Sequence, residues 1–109
     1  MADPRIRQIT IKTGVVKRLA KEKASYIVEA KEIAEKIECM KADAADEYQI
    51  KKQIEVLQES RMMIPDCHHR LAKAHAALVQ LLEETEEDLA ELDAFKEARK
   101  TLDSVKLEG

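Results

Sequence analysis

A mostly apolar row of residues, with three polar exceptions, runs from position 6 to position 41 in alternating steps of three and four, which is the spacing of one face of an α-helix. The main row is Ile6, Ile9, Thr13, Val16, Ala20, Lys23, Ile27, Ala30, Ala34, Ile37 and Lys41, and the flanking row is Leu19, Tyr26, Ile33 and Met40. Asp3 is a favourable N-cap, and Pro4 suits the first helical position. This pattern predicts a first helix over about residues 4–42, with a stripe wide enough for two partner helices.

Residues 9–16 are the weakest part of this helix, because β-branched side chains and Gly14 crowd into them. Locally the segment also fits a strand. The sequence offers no second strand to pair with it, and a lone strand leaves its backbone hydrogen bonds unsatisfied. We therefore expect a frayed or bent helix here.

A second helix is predicted over about residues 47–83, after a break at residues 43–46. Asp46 and Gln49 have the spacing of a capping box. Its main row is Ile50, Leu57, Ile64, Leu71 and Leu78, and the adjoining row of Ile54, Arg61, His68, His75 and Leu82 is polar in its middle. Pro65 lies inside the helix and predicts a kink near residues 62–64, with an outright break as the alternative.

Thr85 and Asp88 offer the next cap, which predicts a third helix over about residues 86–106. Its apolar positions are Leu89, Leu92, Phe95, Ala98, Leu102 and Val105. Short connections force neighbouring helices to run antiparallel, so residues 1–109 are predicted to form one all-α domain. Its architecture is an antiparallel up-down-up three-helix bundle with left-handed coiled-coil packing, two long helices and a shorter third.

The predicted helices differ in length, and the difference predicts a binding surface. The first two span about 40 residues, or ~55 to 60 Å, whereas the third reaches only ~33 Å. Residues 27–63 are then left two-stranded, although they carry a wide apolar stripe. Exposed apolar surface usually marks an interaction site. The candidate partner-binding residues are Ile33, Ile37, Met40, Ile50, Ile54, Leu57, Met62 and Met63. In the alternative, the small Ala30 and Ala34 let the two helices close and hide this stripe.

Charge and composition exclude several classes of function. The net charge is -3, which does not favour nucleic acid. The basic residues of positions 1–23 and the acidic block of positions 83–93 meet at one end of the bundle. They either complement one another or leave a basic face for an acidic partner. No apolar run is long enough for a membrane span, so a cytoplasmic protein is expected.

No catalytic, cofactor-binding or metal-binding residues are predicted. The sequence contains no phosphate loop or nucleophile elbow. His68 and His75 lie two helical turns, or ~10.5 Å, apart. No pair among Cys67, His68, His69 and His75 has the four-residue spacing that brings two side chains to one ion. The histidines are instead predicted to be polar core or surface residues. Because imidazole titrates below neutral pH, His68 and His75 also make the packing of the adjoining row of the second helix a candidate for sensitivity to pH.

Several segments resemble the tubulin-folding cofactor A family, also called tubulin-specific chaperone A. They are MADPRIRQI (1–9), IKTGVVKRL (11–19), LQESRMMIPDC (57–67), KEAR (96–99) and LDSVKLE (102–108). The resemblance spans essentially the whole chain and implies a three-helix, cytoskeleton-associated chaperone that is not an enzyme. It implies that the protein binds quasi-native β-tubulin, without a cofactor, on the way to αβ-heterodimer assembly, in company with other tubulin-folding cofactors.

Two other classes of function stay open at this point. A structural coiled-coil or adaptor module would use residues 27–63 to self-associate, which allows a monomer or a weak homodimer. A membrane-surface protein would place its basic residues beside its widest apolar stripe, but here these features occupy opposite ends of the first helix. A membrane partner is therefore not expected.

Overall fold

The computed structural model describes residues 3–105, which form three α-helices. Helix α1 spans Pro4–Ala42, α2 spans Glu47–Leu89 and α3 spans Asp93–Ser104. Residues 3–105 contain no strand, so the predicted all-α fold is confirmed. None of these helices has a segment that is both long and apolar enough to cross a bilayer.

The predicted start of α1 and the break before α2 are both present. Asp3 accepts a hydrogen bond from the Arg5 amide at 2.9 Å, and Asp46 accepts one from the Tyr48 amide at 3.2 Å. These side chains satisfy amides that have no partner within their own helix. Between the helices Ala44 adopts a φ of 53°, a left-handed conformation that ends α1 and reverses the chain.

The predicted boundary between the second and third helices is wrong. We predicted that the second helix ends near residue 83 and that Thr85 caps the third, but α2 continues to Leu89. Thr85 is buried, and its hydroxyl donates to the Leu81 carbonyl at 2.8 Å. Because this bond satisfies the hydroxyl within α2, the buried threonine continues the helix and does not cap the next one.

Helix α3 is consequently shorter than predicted. It begins at Asp93, after Leu92, which makes no side-chain capping bond. It ends at Ser104, and Val105 is already extended. The prediction had continued to residue 106, which lies outside the described residues. The 12 residues of α3 span ~18 Å, against ~58 Å for the 39 residues of α1.

Neither Pro65 nor Gly14 interrupts its helix. Pro65 is exposed within a continuous α2, so the carbonyl that loses its partner can bind water. The alternative of a broken second helix is thereby excluded. Gly14 lies in continuous α1, and a Cβ there would meet nothing within 4 Å. The β-branched segment around it is held helical by burial of Ile9, Thr13 and Val16.

Ion pairs between the helices show the up-down-up order. Arg5 at the start of α1 lies 2.9 Å from Asp88 at the end of α2, so these helices are antiparallel. Lys17 of α1 lies 2.7 Å from Glu97 of α3. Ala24 and Ile27, further along α1, line a cavity with the end of α3. Helix α3 therefore runs in the same direction as α1 and stops beside Ile27.

The apolar core is divided into two unequal clusters. The larger one draws on all three helices and contains Ile9, Val16, Leu19, Leu71, Leu78, Leu82, Leu89, Phe95, Ala98 and Leu102. The smaller one comes from α1 and α2 only and contains Ala30, Ile37 and Leu57. We call residues 28–63 the two-helix half and the rest of the described chain the three-helix half. The two form one elongated body of 65 × 25 × 17 Å.

Candidate partner-binding surface

The two-helix half lacks the third helix that covers the rest of the bundle. Helix α3 stops beside Ile27, and beyond that point α1 and α2 pack only against each other. The overhang predicted from the sequence is therefore present. Two helices share one seam, so side chains on the edges of that seam have no third layer to cover them.

Two of the eight predicted binding residues lie inside the seam. Ile37 and Leu57 are buried together with Ala30, so the exposure expected for them is wrong. Ala34 packs against the same cluster. The alternative considered from the sequence, in which Ala30 and Ala34 let the two helices close and hide the stripe, applies to these two residues. The small alanines let α1 and α2 approach closely enough to enclose the larger side chains.

The other six predicted residues retain some exposure. Ile33 and Ile50 are half-buried against the small core cluster. Met40 and Met63 are also half-buried. Ile54 and Met62 are exposed. The accessible part of the predicted set thus lies on the edges of the seam.

One edge carries an apolar groove of about 460 Å³, which lies at the border of the two halves and extends to Tyr26. We call it the tyrosine–methionine groove, after its apolar residues Tyr26, Val56, Met62 and Met63. Met62 is 70% exposed and Val56 is 40% exposed. The remaining lining residues are Glu29, Glu59 and Ser60. The structure thus brings together two predicted residues, Met62 and Met63, with two that were not selected.

The two residues missed by the sequence analysis had detectable signals. Tyr26 belongs to the flanking row that was seen to widen the stripe of α1. Val56 precedes Met63 by seven residues, so both lie on one face of α2. Neither signal shows on which side α3 packs, and that position decides which edge stays open.

The opposite edge carries a smaller groove of about 370 Å³, lined mostly by charged residues, which we call the α3-side groove. Its lining residues are Ala30, Lys31, Ala34, Glu35, Glu38 and Arg61. Lys31 lies ~200° around α1 from Glu29, which places the two grooves on different sides of the seam. The α3-side groove continues the path of α3, because Ala20, Ala24 and Ile27 border α3 on the same edge of α1.

The rim of the tyrosine–methionine groove is acidic. Glu29 and Glu59 line it, and a second cavity beside Tyr26 and Met63 adds Glu22. Glu29 and Glu59 make no ion pair with any residue of positions 3–105. Arg70, the one basic residue lining that second cavity, lies 3.2 Å from Asp66. The rim therefore favours a positively charged ligand.

The polar exceptions in the two helix rows meet across the seam in the three-helix half. Lys23 is buried, and its ammonium lies 2.8 Å from Nδ1 of His68. An ammonium only donates, so a hydrogen bond from Lys23 requires Nδ1 of His68 to act as the acceptor. Within residues 3–105, no three His, Cys, Asp or Glu side chains are placed to hold a metal ion.

The basic and acidic blocks are joined across the helices at the end that holds the start of α1 and the end of α2. Arg5 donates to Asp88 as well as to Asp3, at distances of 2.9 and 2.7 Å. Lys17 donates to Glu97 in α3. Of the two interpretations left open by the sequence, these contacts favour complementary charges between helices.

Three comparisons with known proteins give one result. Residues 4–102 match the family described as tubulin binding cofactor A. A Gallus gallus protein named tubulin-specific chaperone A is 68% identical over 108 residues, which cover 99% of this chain and 99% of the relative.

Two solved structures have the same fold. The human tubulin chaperone cofactor A is 58% identical, with a TM-score of 0.79, and the match covers 93% of this chain and 97% of that one. The crystal structure of tubulin folding cofactor A from Arabidopsis thaliana is 46% identical, with a TM-score of 0.83 and coverages of 92% and 94%. These scores apply to nearly the full length of each chain.

Proposed function

Since the chain belongs to the tubulin binding cofactor A family, we propose that it is a tubulin-folding chaperone whose specific client is β-tubulin. The resemblance found in the sequence is confirmed by the family match and by the relatives. Membership of this family makes the protein a non-catalytic binding protein. Its role is to bind tubulin during folding.

The proposed action is to hold quasi-native β-tubulin until it assembles with α-tubulin. A protein that binds one state of its client stabilises that state by mass action, and no nucleotide or cofactor is needed. The binding protein must offer a surface that covers apolar patches on the client. The observation that supports this proposal is the two-helix half, where Ile54, Val56 and Met62 remain exposed beyond the end of α3.

The proposed setting of this activity is the cytoplasm, close to the cytoskeleton. There the chaperone would act as a monomer or weak homodimer and pass its client to other tubulin-folding cofactors. A rigid helical surface suits such transfer because its shape changes little on binding and release. The binding residues proposed in the two-helix half are Ile33, Met40, Ile50, Ile54, Met62 and Met63, with Ile37 and Leu57 supporting them from within the seam.

A pull-down of newly folded β-tubulin, with α-tubulin as the parallel client, tests the proposal. We expect the wild type to capture β-tubulin and to leave α-tubulin largely in solution. A variant with Ile33→Asp and Met40→Lys should lose capture, because both half-buried side chains lie on one edge of the two-helix half.

The matched control is Ile11→Lys, since Ile11 is exposed in the three-helix half. Circular dichroism must show that all variants keep the helicity of the wild type. Equal capture of the two tubulins would contradict the specificity for β-tubulin. The coiled-coil alternative would instead be supported if the wild type bound neither tubulin and its sedimentation mass rose from monomer to dimer with increasing protein concentration.

A further inference from the structure

The two-helix half has two open edges, and they differ in chemistry. We propose that the tubulin client binds in the tyrosine–methionine groove through an apolar helical segment flanked by lysine or arginine. This inference rests on the function proposed above and adds to it the edge of the hairpin and the kind of segment that binds there.

The first argument is the apolar surface itself. Met62 and Val56 leave 70% and 40% of their surface in water, and they lie beside the ring of Tyr26 and the half-buried Met63. Methionine has three rotatable bonds and a polarisable sulfur, so it adapts to differently shaped apolar partners. Tyrosine adds a rigid apolar ring with a polar end, a combination enriched at energetically important interface positions.

The second argument is that the α1–α2 pair already accepts a helix on its other edge. In the three-helix half, α3 inserts Phe95, Ala98 and Leu102 against α1 and α2, and all three become buried. These residues follow helical spacing along one face of α3. A client helix with apolar residues at the same spacing can insert into the tyrosine–methionine groove in the same manner.

The third argument is charge complementarity. Glu29 and Glu59 line the groove on opposite helices, and neither is neutralised by an ion pair within residues 3–105. Glu22 lies beside Tyr26 on the same side, but it is partly neutralised by Arg18, whose Nε lies 3.8 Å from the Glu22 carboxylate. The acidic charge of the rim therefore comes mainly from Glu29 and Glu59. Lysine or arginine side chains flanking the apolar face of the client would reach both sides of the rim, whereas acidic side chains would be repelled.

The α3-side groove lacks these features. Its rim mixes Lys31 and Arg61 with Glu35 and Glu38, so it favours neither sign of charge. Its floor consists of the small side chains Ala30 and Ala34. A ligand there would gain less apolar contact area, and area removed from water is the main favourable term in association.

Charge reversal on the two edges tests the inference. One variant carries Glu29→Lys with Glu59→Lys, and the control carries Glu35→Lys with Glu38→Lys. Both pairs are exposed and change the net charge equally. Titration of β-tubulin at low salt should show a loss of affinity on the order of tenfold or more for the first variant and less than about twofold for the control. The difference should shrink at high salt.

Truncation of the apolar side chains provides a test that does not depend on charge. Met62→Ala with Val56→Ala should weaken β-tubulin binding on the order of tenfold, because both side chains would be covered by the client. Val28→Ala is the control, since Val28 is 54% exposed and does not line the groove. All of these truncations lie on exposed positions, so the variants are expected to fold.

The outcomes separate this inference from the proposed function. Capture of β-tubulin by the wild type, with undiminished affinity in both groove variants, would overturn the groove and leave the function standing. Failure of the wild type to bind β-tubulin at all would overturn both. Sedimentation can also show that the wild type dimerises and that the groove variants are monomeric, with no change in their affinity for β-tubulin. The occupant of the groove is then a second copy of this chain, which also overturns the inference.

Discussion

The three-helix half and the two-helix half are built from the same two helices, yet their interiors differ. In the three-helix half, α3 closes the α1–α2 pair, and the core contains side chains such as Val16, Leu78 and Leu82 that are fully enclosed. In the two-helix half the core is a single seam of Ala30, Ile37 and Leu57. Twelve residues of α3 account for this difference.

The comparison shows how one short helix divides a hairpin into a stable support and a binding surface. Where α3 packs, the wide apolar stripe of α1 is buried in the core. Where α3 is missing, side chains on the same stripe remain partly exposed and available to a partner. Local stability follows the number of buried apolar contacts, so the proposed client surface lies in the less stable half.

Leucine-to-alanine substitutions in the two cores test this difference directly. Leu78 has no exposed surface, so L78A should lower the free energy of unfolding by about 2–5 kcal/mol. Leu57 is 8% exposed and has neighbours on two helices only, so its site can partly collapse. L57A should therefore cost less, about 2 kcal/mol, at the low end of the same range. Urea unfolding followed by circular dichroism gives both values, and equal losses would show that the halves are packed alike.

The two cysteines report on exposure in a chemical assay. Cys39 is exposed in the two-helix half, whereas Cys67 is buried in the three-helix half. Burial raises the pKa of the Cys67 thiol, and the carboxylates of Glu22 and Asp66 raise it further. Because the thiolate is the nucleophile, iodoacetamide should label Cys39 readily and Cys67 on the order of 100-fold more slowly.

Mass spectrometry of the native protein with time measures both labelling rates. The variant Cys39→Ser should be labelled only at the slow rate of Cys67 until denaturant is added. Similar rates for the two cysteines in the native protein would mean that α2 opens easily around Cys67, and the proposed difference in local stability would then be wrong.

The smallest expected effect comes from the ion pair that joins α3 to α1. The hydrogen bond from Lys17 lowers the pKa of Glu97, so the folded protein binds this proton less readily than the unfolded chain. Its stabilisation is present above the ordinary carboxyl pKa of about 4.3 and is lost as the pH falls through the lower folded pKa. Glu97→Gln should lower Tm on the order of 1 to 4 °C at pH 7.

Calorimetry of both proteins at pH 7 and at pH 3 checks this expectation. The difference in Tm should decrease as the pH is lowered to 3, and it should also decrease at high salt because both side chains are about half exposed. A difference that is unchanged at pH 3 would show that the substitution of Glu97 acts through packing and not through the lost charge.

Much of the fold could be predicted because its signals are local. The cap at Asp3, the break at residues 43–46 and the long apolar rows of both helices depend on residues close in sequence. The error at Thr85 has a tertiary cause. A threonine three residues before Asp88 has the spacing of a cap, but burial within the three-helix half and a bond to the Leu81 carbonyl keep it inside α2.

The location of the candidate site could be predicted in part. The two-helix half follows from the relative helix lengths, and two of the proposed partner-binding residues, Met62 and Met63, line the groove. The exposure of Ile37 and Leu57 was wrong, because the separation of α1 and α2 depends on how closely Ala30 lets them approach. Periodicity identifies the apolar face of a helix but contains no distance between helices.

The sequence by itself therefore determined the helices, their order and the family, since these depend on periodicity, capping residues and the similarity of whole segments. Only the tertiary structure decided where α3 ends and which edge of the hairpin it covers. Those two facts leave Tyr26, Val56 and Met62 open beside Glu29 and Glu59. The end of α3 and the edge that it covers depend on which side chains, far apart in sequence, make the most favourable apolar contacts with one another. A local sequence pattern does not contain that information.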